Sequence, residues 1–316
     1  MRDYLLEENI QNCIESGANV WVIGDVHGYY NTLESLLKSL KLKRDDVVVL
    51  LGDLIDRGPR SAHVVKYVRE SDNTHTIRGN HEQMMIDGFD EKSFFKDLNI
   101  DSRIWYHNGG IDTEASYIRL YGGEKRASEE AAKDVKWMEQ LVTEIVLDDW
   151  RLVHAGYDPN VDLDCQTDSE LLHVRKPFHR ATEPIDVHRT ILFGHSITIT
   201  LPGLSKENWG DVWYSSVKLE DGRPAAIGLD TCVFHTADST AMLSFLFLSH
   251  LLLGESALTT PAHTSPLKPN TSDSLCVNSC ASLYQFIPSI TSFSDAWLYQ
   301  YLRFALAFLR CFVSIS

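Results

Sequence analysis

Six side chains of this sequence could together bind divalent metal ions. They belong to five short blocks: GDVHG (24–28), GDLIDRG (52–58), RGNHE (78–82), HAG (154–156) and GH (194–195). A site with three imidazole ligands has too many nitrogen donors for calcium or magnesium alone, which prefer oxygen ligands. The absence of thiolates from the set disfavours a closed structural zinc site. The pattern therefore favours two adjacent manganese, iron or zinc ions, with Asp53 able to bridge them. The candidate ligands are Asp25, His27, Asp53, Asn80, His154 and His195.

The first three blocks follow segments that have the pattern of buried strands. The strands are predicted in VWVIG, DVVVLLGD and THTIRGN, and helices are predicted in NTLESLLKSL and SAHVVKYVRE. This alternation predicts βαβ units with a mainly parallel sheet, in which chemistry concentrates at the carboxyl ends of the strands. Asp25, His27, Asp53 and Asn80 fall at such ends.

Further strands and a helical cap are predicted after residue 90. IVLDD and WRLVHAG form a predicted hairpin, and TILFGH and AAIGLD are predicted strands. The residues between 90 and 141 are predicted to be largely helical and to form a cap beside the sheet. The expected fold class is α/β, a sandwich of mixed sheets flanked by helices.

Composition divides the chain into two regions and limits its partners. The length of 316 residues is sufficient for a large core, and the net charge of -15 argues against general binding to nucleic acid or anionic lipid. We predict a catalytic domain in residues 1–240 and an atypical, low-charge tail in residues 241–316. Three interpretations of that tail remain open: an amphipathic partner or membrane-surface segment, a disordered extension and a non-native end. Its apolar runs are too short or too interrupted by arginine for stable membrane insertion.

The cysteines and the first residues bear on the compartment. The six cysteines show no CxxC pair or regular framework, which favours a reducing compartment. The charged start, MRDYLLEENIQNCIES, lacks the apolar core of a signal peptide. We therefore expect a cytoplasmic protein, and the sequence predicts no oligomeric state.

The five blocks resemble a known signature. They look like the motifs of the phosphoprotein phosphatase (PPP) type of calcineurin-like metallophosphoesterase, particularly its compact bacterial and phage members. The resemblance covers roughly residues 20–234. Two departures are visible: GHSIT stands where relatives usually have GHT, and LDTC replaces LDTG near residue 232.

The resemblance implies a role for each candidate residue. Asp25, His27 and Asp53 would hold the first metal, and Asn80, His154 and His195 would join Asp53 around the second. His81 would be the general acid, oriented by Asp56. Three arginines would bind the substrate phosphate: Arg57, Arg78 and Arg175.

The chemistry of phosphate esters explains these residue types. Two metal ions lower the pKa of a water molecule and neutralise the phosphoryl oxygens during in-line attack. A histidine can protonate the departing oxygen, typically for about 10²- to 10⁴-fold in rate. Arginine forks match the geometry of phosphate.

Several polar residues are interpreted as structural. Glu82 is expected to cap a helix or to face solvent. Seven histidines outside the blocks are interpreted as surface or satisfied core residues: His63, His75, His107, His173, His179, His188 and His235.

The leading functional hypothesis is a protein phosphatase acting on phosphoserine or phosphothreonine, with phosphotyrosine as a further substrate. A dinucleoside polyphosphate hydrolase, such as a diadenosine tetraphosphate hydrolase, is the alternative enzyme. That branch lacks the aspartate of DRG and the arginine before GNH, whereas this chain has Asp56 and Arg78. A catalytically impaired phosphate-binding module is the alternative outside the enzymes.

Overall fold

The computed structural model describes residues 2–90, 99–233 and 245–248. Its strands are short and are mostly made of fully buried residues. In chain order they are β1 (Val20–Ile23), β2 (Val47–Leu50), β3 (Thr74–Thr76), β4 (Glu144–Val146), β5 (Trp150–Val153), β6 (Thr190–Phe193), β7 (Trp213–Tyr214), β8 (Ala226–Gly228) and β9 (Phe245–Phe247).

Helices connect these strands and form the predicted cap. In chain order they are α1 (Tyr4–Glu15), α2 (Tyr30–Leu40), α3 (Ser61–Glu70), α4 (Asn80–Gly88), α5 (Ile100–Trp105), α6 (Ile111–Tyr121), α7 (Glu124–Met138), α8 (Asp168–His173) and α9 (Lys176–His179). A π-helical turn, Tyr106–Gly110, joins α5 to α6. Short 3₁₀ turns are Leu163–Cys165, Thr198–Thr200 and Lys206–Asn208.

The strands form two mixed sheets. The first has the order β3-β2-β1-β9, in which β1, β2 and β3 are parallel and β9 is antiparallel to β1. The second has the order β4-β5-β6-β8-β7, in which β5, β6 and β8 are parallel and the outer strands are antiparallel. The carboxyl ends of parallel neighbours lie at one edge of a sheet, which is where the candidate ligands follow them.

The alternation of side chains along β1 divides the core. Val20 and Val22 belong to a cluster that contains residues of both sheets, whereas Trp21 and Ile23 belong to a cluster formed with the helices. Burying one valine or isoleucine side chain stabilises the fold by about 1.5–3 kcal/mol. The cluster shared by the two sheets also includes Val47, Val49, Ile77, Ile145, Leu152, Leu192 and Ile227.

Helices cover the other faces of the two sheets. Leu33 of α2 and Val65 of α3 pack in the cluster beside the first sheet. Leu171 of α8 and Phe178 pack in a third cluster with Phe193 of the second sheet. The arrangement is a helix–sheet–sheet–helix sandwich, and the predicted fold class is confirmed.

The strand and hairpin predictions are confirmed. Six helices and strands were not predicted: α1, whose Ile10 and Ile14 pack in the cluster between the sheets, the helices α4, α8 and α9, and the strands β7 and β9. Of the predicted cap, residues 91–98 lie outside the described part of the chain, and so does the predicted tail apart from residues 245–248. The division at residue 240 stays a prediction. None of the helices among the described residues has the length and apolar character needed to cross a membrane.

Candidate active site

The six candidate ligands converge at the ends of parallel strands. Asp25 and His27 follow β1, Asp53 follows β2, and Asn80 is the first residue of α4 after β3. His154 follows β5 and His195 follows β6, so the two sheets contribute to one site. All six side chains are buried.

Three of these ligands have a left-handed backbone. The φ angles are 44° at His27, 49° at Asp53 and 59° at His195. A non-glycine residue in such a conformation costs on the order of 1–3 kcal/mol, so surrounding contacts must hold it there. One such contact is the His27 N–H, which donates to the carbonyl oxygen of Asp53 at 2.8 Å. The glycines of the blocks are therefore not alone in shaping the turns.

Glu82 is one of the contacts that hold these turns. Its carboxylate accepts hydrogen bonds from the backbone N–H groups of Gly79 at 2.9 Å, Asp53 at 2.8 Å and Leu54 at 2.8 Å. Glu82 thus caps α4, which was one of its two expected roles. It does not face solvent, the other expected role, because it is completely buried. Burial raises the pKa of Glu82 to about 7, against the lowering effect of these three hydrogen bonds. The carboxylate joins the loop after β2 to the start of α4.

Asp53 stands between two groups of potential metal ligands. His27, Asp53 and His81 form one group and Asp53, His154 and His195 form the other, with ligand atoms within 4.8 Å of one another in each group. Asp53 Oδ2 lies 3.7 Å from His27 Nε2, and Asp53 Oδ1 lies 3.3 Å from His154 Nε2. One carboxylate oxygen therefore faces each group, as a bridging ligand requires.

The donor set fits a cation at the second group. His154 Nδ1 donates to the carbonyl oxygen of Leu51 at 2.7 Å, which leaves Nε2 with a lone pair, and burial lowers the pKa of His154 to about 3. This lone pair meets Asn80 Oδ1 at 2.9 Å and Asp53 Oδ1 at 3.3 Å. Three acceptors converge without a proton among them, which a metal ion would stabilise.

The imidazoles of His27 and His195 also have a geometry that is compatible with metal binding. His27 Nδ1 lies 2.9 Å from the carbonyl oxygen of Ile55, so that bond fixes the tautomer and directs Nε2 towards Asp53. The buried Nε2 of His195 has no hydrogen-bond partner among the described residues, and its Nδ1 lies 2.8 Å from Asn80 Oδ1. The residues present therefore fit divalent metal ions.

Asp25 joins the first group from the other side. Its Oδ2 lies 3.9 Å from His27 Nε2, and its carboxylate accepts the backbone N–H of His195 at 3.0 and 3.1 Å. A Cβ at Gly194 would collide with that carboxylate, so glycine is needed there. Burial raises the pKa of Asp25 well above its usual value, and the charges of Asp230 and Asp53 add to this. Asp230, buried after β8, is a neighbour that sequence reasoning missed, although AAIGLD places it at a strand end.

Asp56 holds the ring of His81 through a short contact. His81 Nδ1 lies 2.6 Å from Asp56 Oδ2, and its backbone N–H donates to Asp53 Oδ1 at 3.0 Å. Burial, followed by the charge of Arg57, lowers the pKa of His81 well below its usual value. Its ring also belongs to the first ligand group, so its position is compatible both with a general acid and with a metal ligand.

Two cap residues that sequence reasoning missed hold Asp56 in turn. Asp56 Oδ1 accepts hydrogen bonds from Thr113 Oγ1 at 2.6 Å and from Trp105 Nε1 at 3.0 Å. Burial raises the pKa of Asp56 to about 7, although these hydrogen bonds lower it. Nothing in the sequence pattern around Thr113 or Trp105 indicates these contacts.

The three predicted arginines have different surroundings. Arg57 places Nη1 2.6 Å from His27 Nε2 and Nη2 2.9 Å from His81 Nε2. Arg175 donates to Ser196 Oγ at 3.0 Å, beside the second ligand group. Arg78, next to Gly79, forms an ion pair with Asp168 of α8 at 2.9 Å. Arg57 thus lies at the centre, whereas the other two lie beside the second sheet.

His173 is exposed, as its interpretation as a surface or core histidine allows, but it also lies beside the site. Its ring centroid is 6.4 Å from that of His195, in an edge-to-face arrangement. Its charge is among the causes that lower the pKa values of His81 and His154, after burial. The available signal was its position two residues before Arg175.

Residues 18–198 match the Calcineurin-like phosphoesterase family. The chain belongs to this family. The predicted resemblance is confirmed, and the His and Asp groups described above are consistent with the divalent metal ions that calcineurin-like phosphoesterases use.

Three curated relatives show how the similarity is distributed. Serine/threonine-protein phosphatase 1 of Salmonella typhimurium is 40% identical over 93 residues, which are 29% of this chain and 39% of that protein. Serine/threonine-protein phosphatase 2 of the same organism is 27% identical over 190 residues, 57% of this chain and 80% of that protein. The symmetrical bis(5'-nucleosyl)-tetraphosphatase of Buchnera aphidicola is 40% identical over 70 residues, 22% of this chain and 25% of that protein. The first match spans less than half of the relative's length.

Proposed function

We propose that this calcineurin-like phosphoesterase is a protein phosphatase that hydrolyses phosphoserine and phosphothreonine, with phosphotyrosine as a further substrate. Two divalent ions, manganese being the preferred pair, would be held by the six residues of the strand ends. The observation that carries the proposal is the position of Asp53, whose two oxygens face separate groups of buried imidazoles. The match to serine/threonine-protein phosphatase 2 of Salmonella typhimurium, over 80% of that protein, supports the substrate class.

The proposed division of ligands follows the family resemblance, with Asp25 rather than His81 as a ligand of the first ion. Asp25, His27 and Asp53 would hold one ion, and Asp53, Asn80, His154 and His195 the other. When bound, the two ions would lower the pKa of a water molecule and neutralise charge on the phosphoryl oxygens. The ligand side chains lie at strand ends, where they are buried and hydrogen-bonded. These contacts would keep the donor atoms in place between turnovers.

The chain's own residues would bind the phosphate and move one proton. The Arg57 guanidinium, within 3 Å of two imidazoles, can turn its fork to two phosphoryl oxygens. Arg175 and Arg78 would bind from the side of the second sheet. As water attacks phosphorus, the bond from phosphorus to the ester oxygen breaks, and that oxygen takes the proton from His81 Nε2. The products are the free hydroxyl side chain and inorganic phosphate.

Asp56 supports that proton transfer from the opposite side of the ring. Because its Oδ2 binds Nδ1 at 2.6 Å, the His81 ring is oriented with Nε2 towards Arg57 and the ligand groups. A negative charge at this position favours the imidazolium form that a general acid needs, and so opposes the lowering of the His81 pKa by burial and by the charge of Arg57. His81 is therefore proposed as the acid rather than as a metal ligand.

The test is hydrolysis of p-nitrophenyl phosphate by the full chain with added Mn²⁺, Fe²⁺ or Zn²⁺, together with elemental analysis. The proposal expects about two metal equivalents per chain. Asp25→Asn should lose metal and activity, and His81→Asn should lower kcat by about 10²- to 10⁴-fold while retaining metal. The exposed Asp72→Asn and His188→Asn are matched controls. A wild-type chain that binds metal but hydrolyses no phosphate ester would instead be a phosphate-binding module.

Substrate choice needs a second comparison. Phosphoserine and phosphothreonine peptides should be turned over faster than diadenosine tetraphosphate. The reverse order would identify a dinucleoside polyphosphate hydrolase, the activity named for the relative of Buchnera aphidicola. A phosphotyrosine peptide in the same assay tests the broader specificity.

A further inference from the structure

A buried hydrogen-bond network connects the helical cap to the residue behind the proposed acid. Asp56 directs one carboxylate oxygen to His81 at 2.6 Å and the other to Thr113 at 2.6 Å and Trp105 at 3.0 Å. These four side chains are buried. Thr113 is the third residue of α6 and Trp105 is the last residue of α5, so both donors come from the cap.

The Thr113 hydroxyl holds Asp56 at two points. It donates its proton to Oδ1, and it accepts the backbone N–H of Asp56 at 2.8 Å. The Ser61 hydroxyl accepts the same N–H at 3.1 Å. A single hydroxyl therefore fixes both the carboxylate and the main chain of Asp56, and valine, which has the same shape, could do neither.

The main chain held in this way is strained. Asp56 and Arg57 have φ angles of 71° and 66°, and Gly58 N–H closes a three-residue turn on the carbonyl oxygen of Asp56 at 2.6 Å. Two consecutive non-glycine residues rarely adopt left-handed conformations unless their surroundings impose them. The turn directs the Asp56 side chain towards His81 and the Arg57 side chain towards the imidazoles of His27 and His81.

The cap also touches the second residue of this turn. The Arg57 N–H points to the carbonyl oxygen of Gly109 at 3.4 Å, and a Cβ at Gly109 would lie 2.6 Å from the Arg57 nitrogen. The π-helical turn between α5 and α6 therefore lies directly against the Asp56–Arg57 peptide. Contacts on both residues come from one continuous segment, Trp105 to Thr113.

We propose that Thr113 and Trp105 are positioning residues for the general acid, and that the cap segment from Trp105 to Thr113 is a part of the active site. The inference rests on the proposed function, because it assigns the network to the proton-transfer step. Thr113 has the larger role since it binds two groups of Asp56, whereas Trp105 supplies one N–H.

The leaving group of the substrate provides a readout that a purely structural role would not change. Phenyl phosphate needs a proton on its departing oxygen, whereas 2,4-dinitrophenyl phosphate releases a stable anion. Loss of acid positioning should therefore lower kcat for the first substrate selectively. The ratio of the two kcat values within one sample does not depend on the fraction of folded protein.

The variants are Thr113→Val, Thr113→Ser and Trp105→Phe in the full chain with Mn²⁺. We expect Thr113→Val to lower kcat for phenyl phosphate by about 10- to 100-fold, a part of the effect of a general acid. Its kcat for 2,4-dinitrophenyl phosphate, its KM values and its metal content should change by less than about 3-fold. Thr113→Ser keeps the hydroxyl and should restore the wild-type ratio, and Trp105→Phe should give an intermediate ratio.

The matched control is Thr198→Val. The Thr198 hydroxyl is also buried but has no hydrogen-bond partner among the described residues, so its removal should leave the ratio unchanged. A wild-type ratio in Thr113→Val would overturn the inference while leaving the proposed function intact. Absence of hydrolysis of either substrate by the wild-type chain would overturn the proposed function, and the inference with it.

Discussion

The two sides of Asp53 are built differently. On the cap side, His27, His81 and Asp56 are all buried, and each has hydrogen-bond partners at fixed distances. On the α8 side, the rings of His154 and His195 are buried, but the residues in front of them, His173 and Arg175, are exposed. One side of the site is therefore enclosed by protein and the other is bordered by accessible polar side chains.

The difference follows from what each side is proposed to do. Proton transfer requires a donor held within hydrogen-bonding reach of one oxygen, which favours a rigid, buried network. A phosphate carried by a protein chain must enter and leave, so arginines beside its path need access to solvent. The cap side thus favours precise positioning, and the α8 side favours exchange.

The largest effect is expected where the two sides meet. Asp53→Asn replaces one negative carboxylate oxygen by an amide nitrogen that cannot bind a metal, so both ligand groups lose their shared donor. We expect loss of metal and a fall in kcat of more than about 100-fold, beyond the effect of partners that only support ligands. Elemental analysis and steady-state kinetics measure both quantities, with the exposed Asp72→Asn as control. Retention of two metal equivalents would contradict a bridging role.

Two of the three proposed phosphate arginines provide a direct comparison of the sides. Arg57→Lys removes a fork that spans two imidazoles, so kcat/KM should fall by about 10- to 100-fold, the range of one or two lost charge-assisted hydrogen bonds. Arg175→Lys, on the exposed side, should cost about 10-fold or less. Kinetics with a phosphoserine peptide measure both variants. Equal losses would remove the distinction between an enclosed and an accessible side.

The cap side should also show a characteristic dependence of stability on pH. Burial raises the pKa of Glu114, the residue after Thr113, to about 8 from a usual value of 4.5. Above pH 4.5 the unfolded chain releases this proton but the folded chain keeps it, so the free energy of unfolding should fall as pH rises towards 8. Stability from this group is thus present at low pH and lost at high pH.

Glu114→Gln should flatten this dependence, since glutamine does not titrate. Near pH 8 we expect the variant to be more stable than the wild type by about 1–3 kcal/mol, the scale of one unfavourably buried polar group. Thermal unfolding between about pH 5 and pH 8 measures the effect, and the exposed Glu129→Gln is the control. Parallel curves for Glu114→Gln and the wild type would show that Glu114 is not the group responsible.

The smallest effect is expected for the ion pair between Arg78 and Asp168 on the α8 side. Asp168 is half-exposed and binds Arg78 at 2.9 Å, so it competes with a phosphate for that arginine. Because exposed pairs contribute about 0–1 kcal/mol, Asp168→Asn should lower KM for a phosphopeptide by no more than about 5-fold without changing kcat. Asp164→Asn, exposed in the same segment, is the control. A higher KM would mean that Asp168 orients Arg78 rather than competing for it.

The convergence of the candidate ligands was predictable because their placement depends on a rule of sheet geometry. Asp25, His27, Asp53, His154 and His195 follow strands that the sequence pattern identifies, and parallel strands end at one edge. The pairing of His81 with Asp56 came from the resemblance. These predictions needed no knowledge of side-chain packing.

The supporting residues were not predictable for the opposite reason. Thr113 and Trp105 reach Asp56 across 57 and 49 residues of sequence, and nothing in their local pattern indicates the contact. His173 and the buried position of Glu82 likewise depend on how short segments pack. Long-range packing thus determines how the ligands are held, whereas strand order determines which residues meet.

The strand β9 has a consequence for any shortened form of the chain. Leu248 N–H donates to the carbonyl oxygen of Val20 at 3.0 Å, and β9 pairs with β1 along Trp21–Ile23. Without these residues, the strand that leads to Asp25 and His27 would become an unpaired sheet edge, a template for self-association between chains. We therefore expect removal of residues 245–248 to promote self-association of the shortened chain.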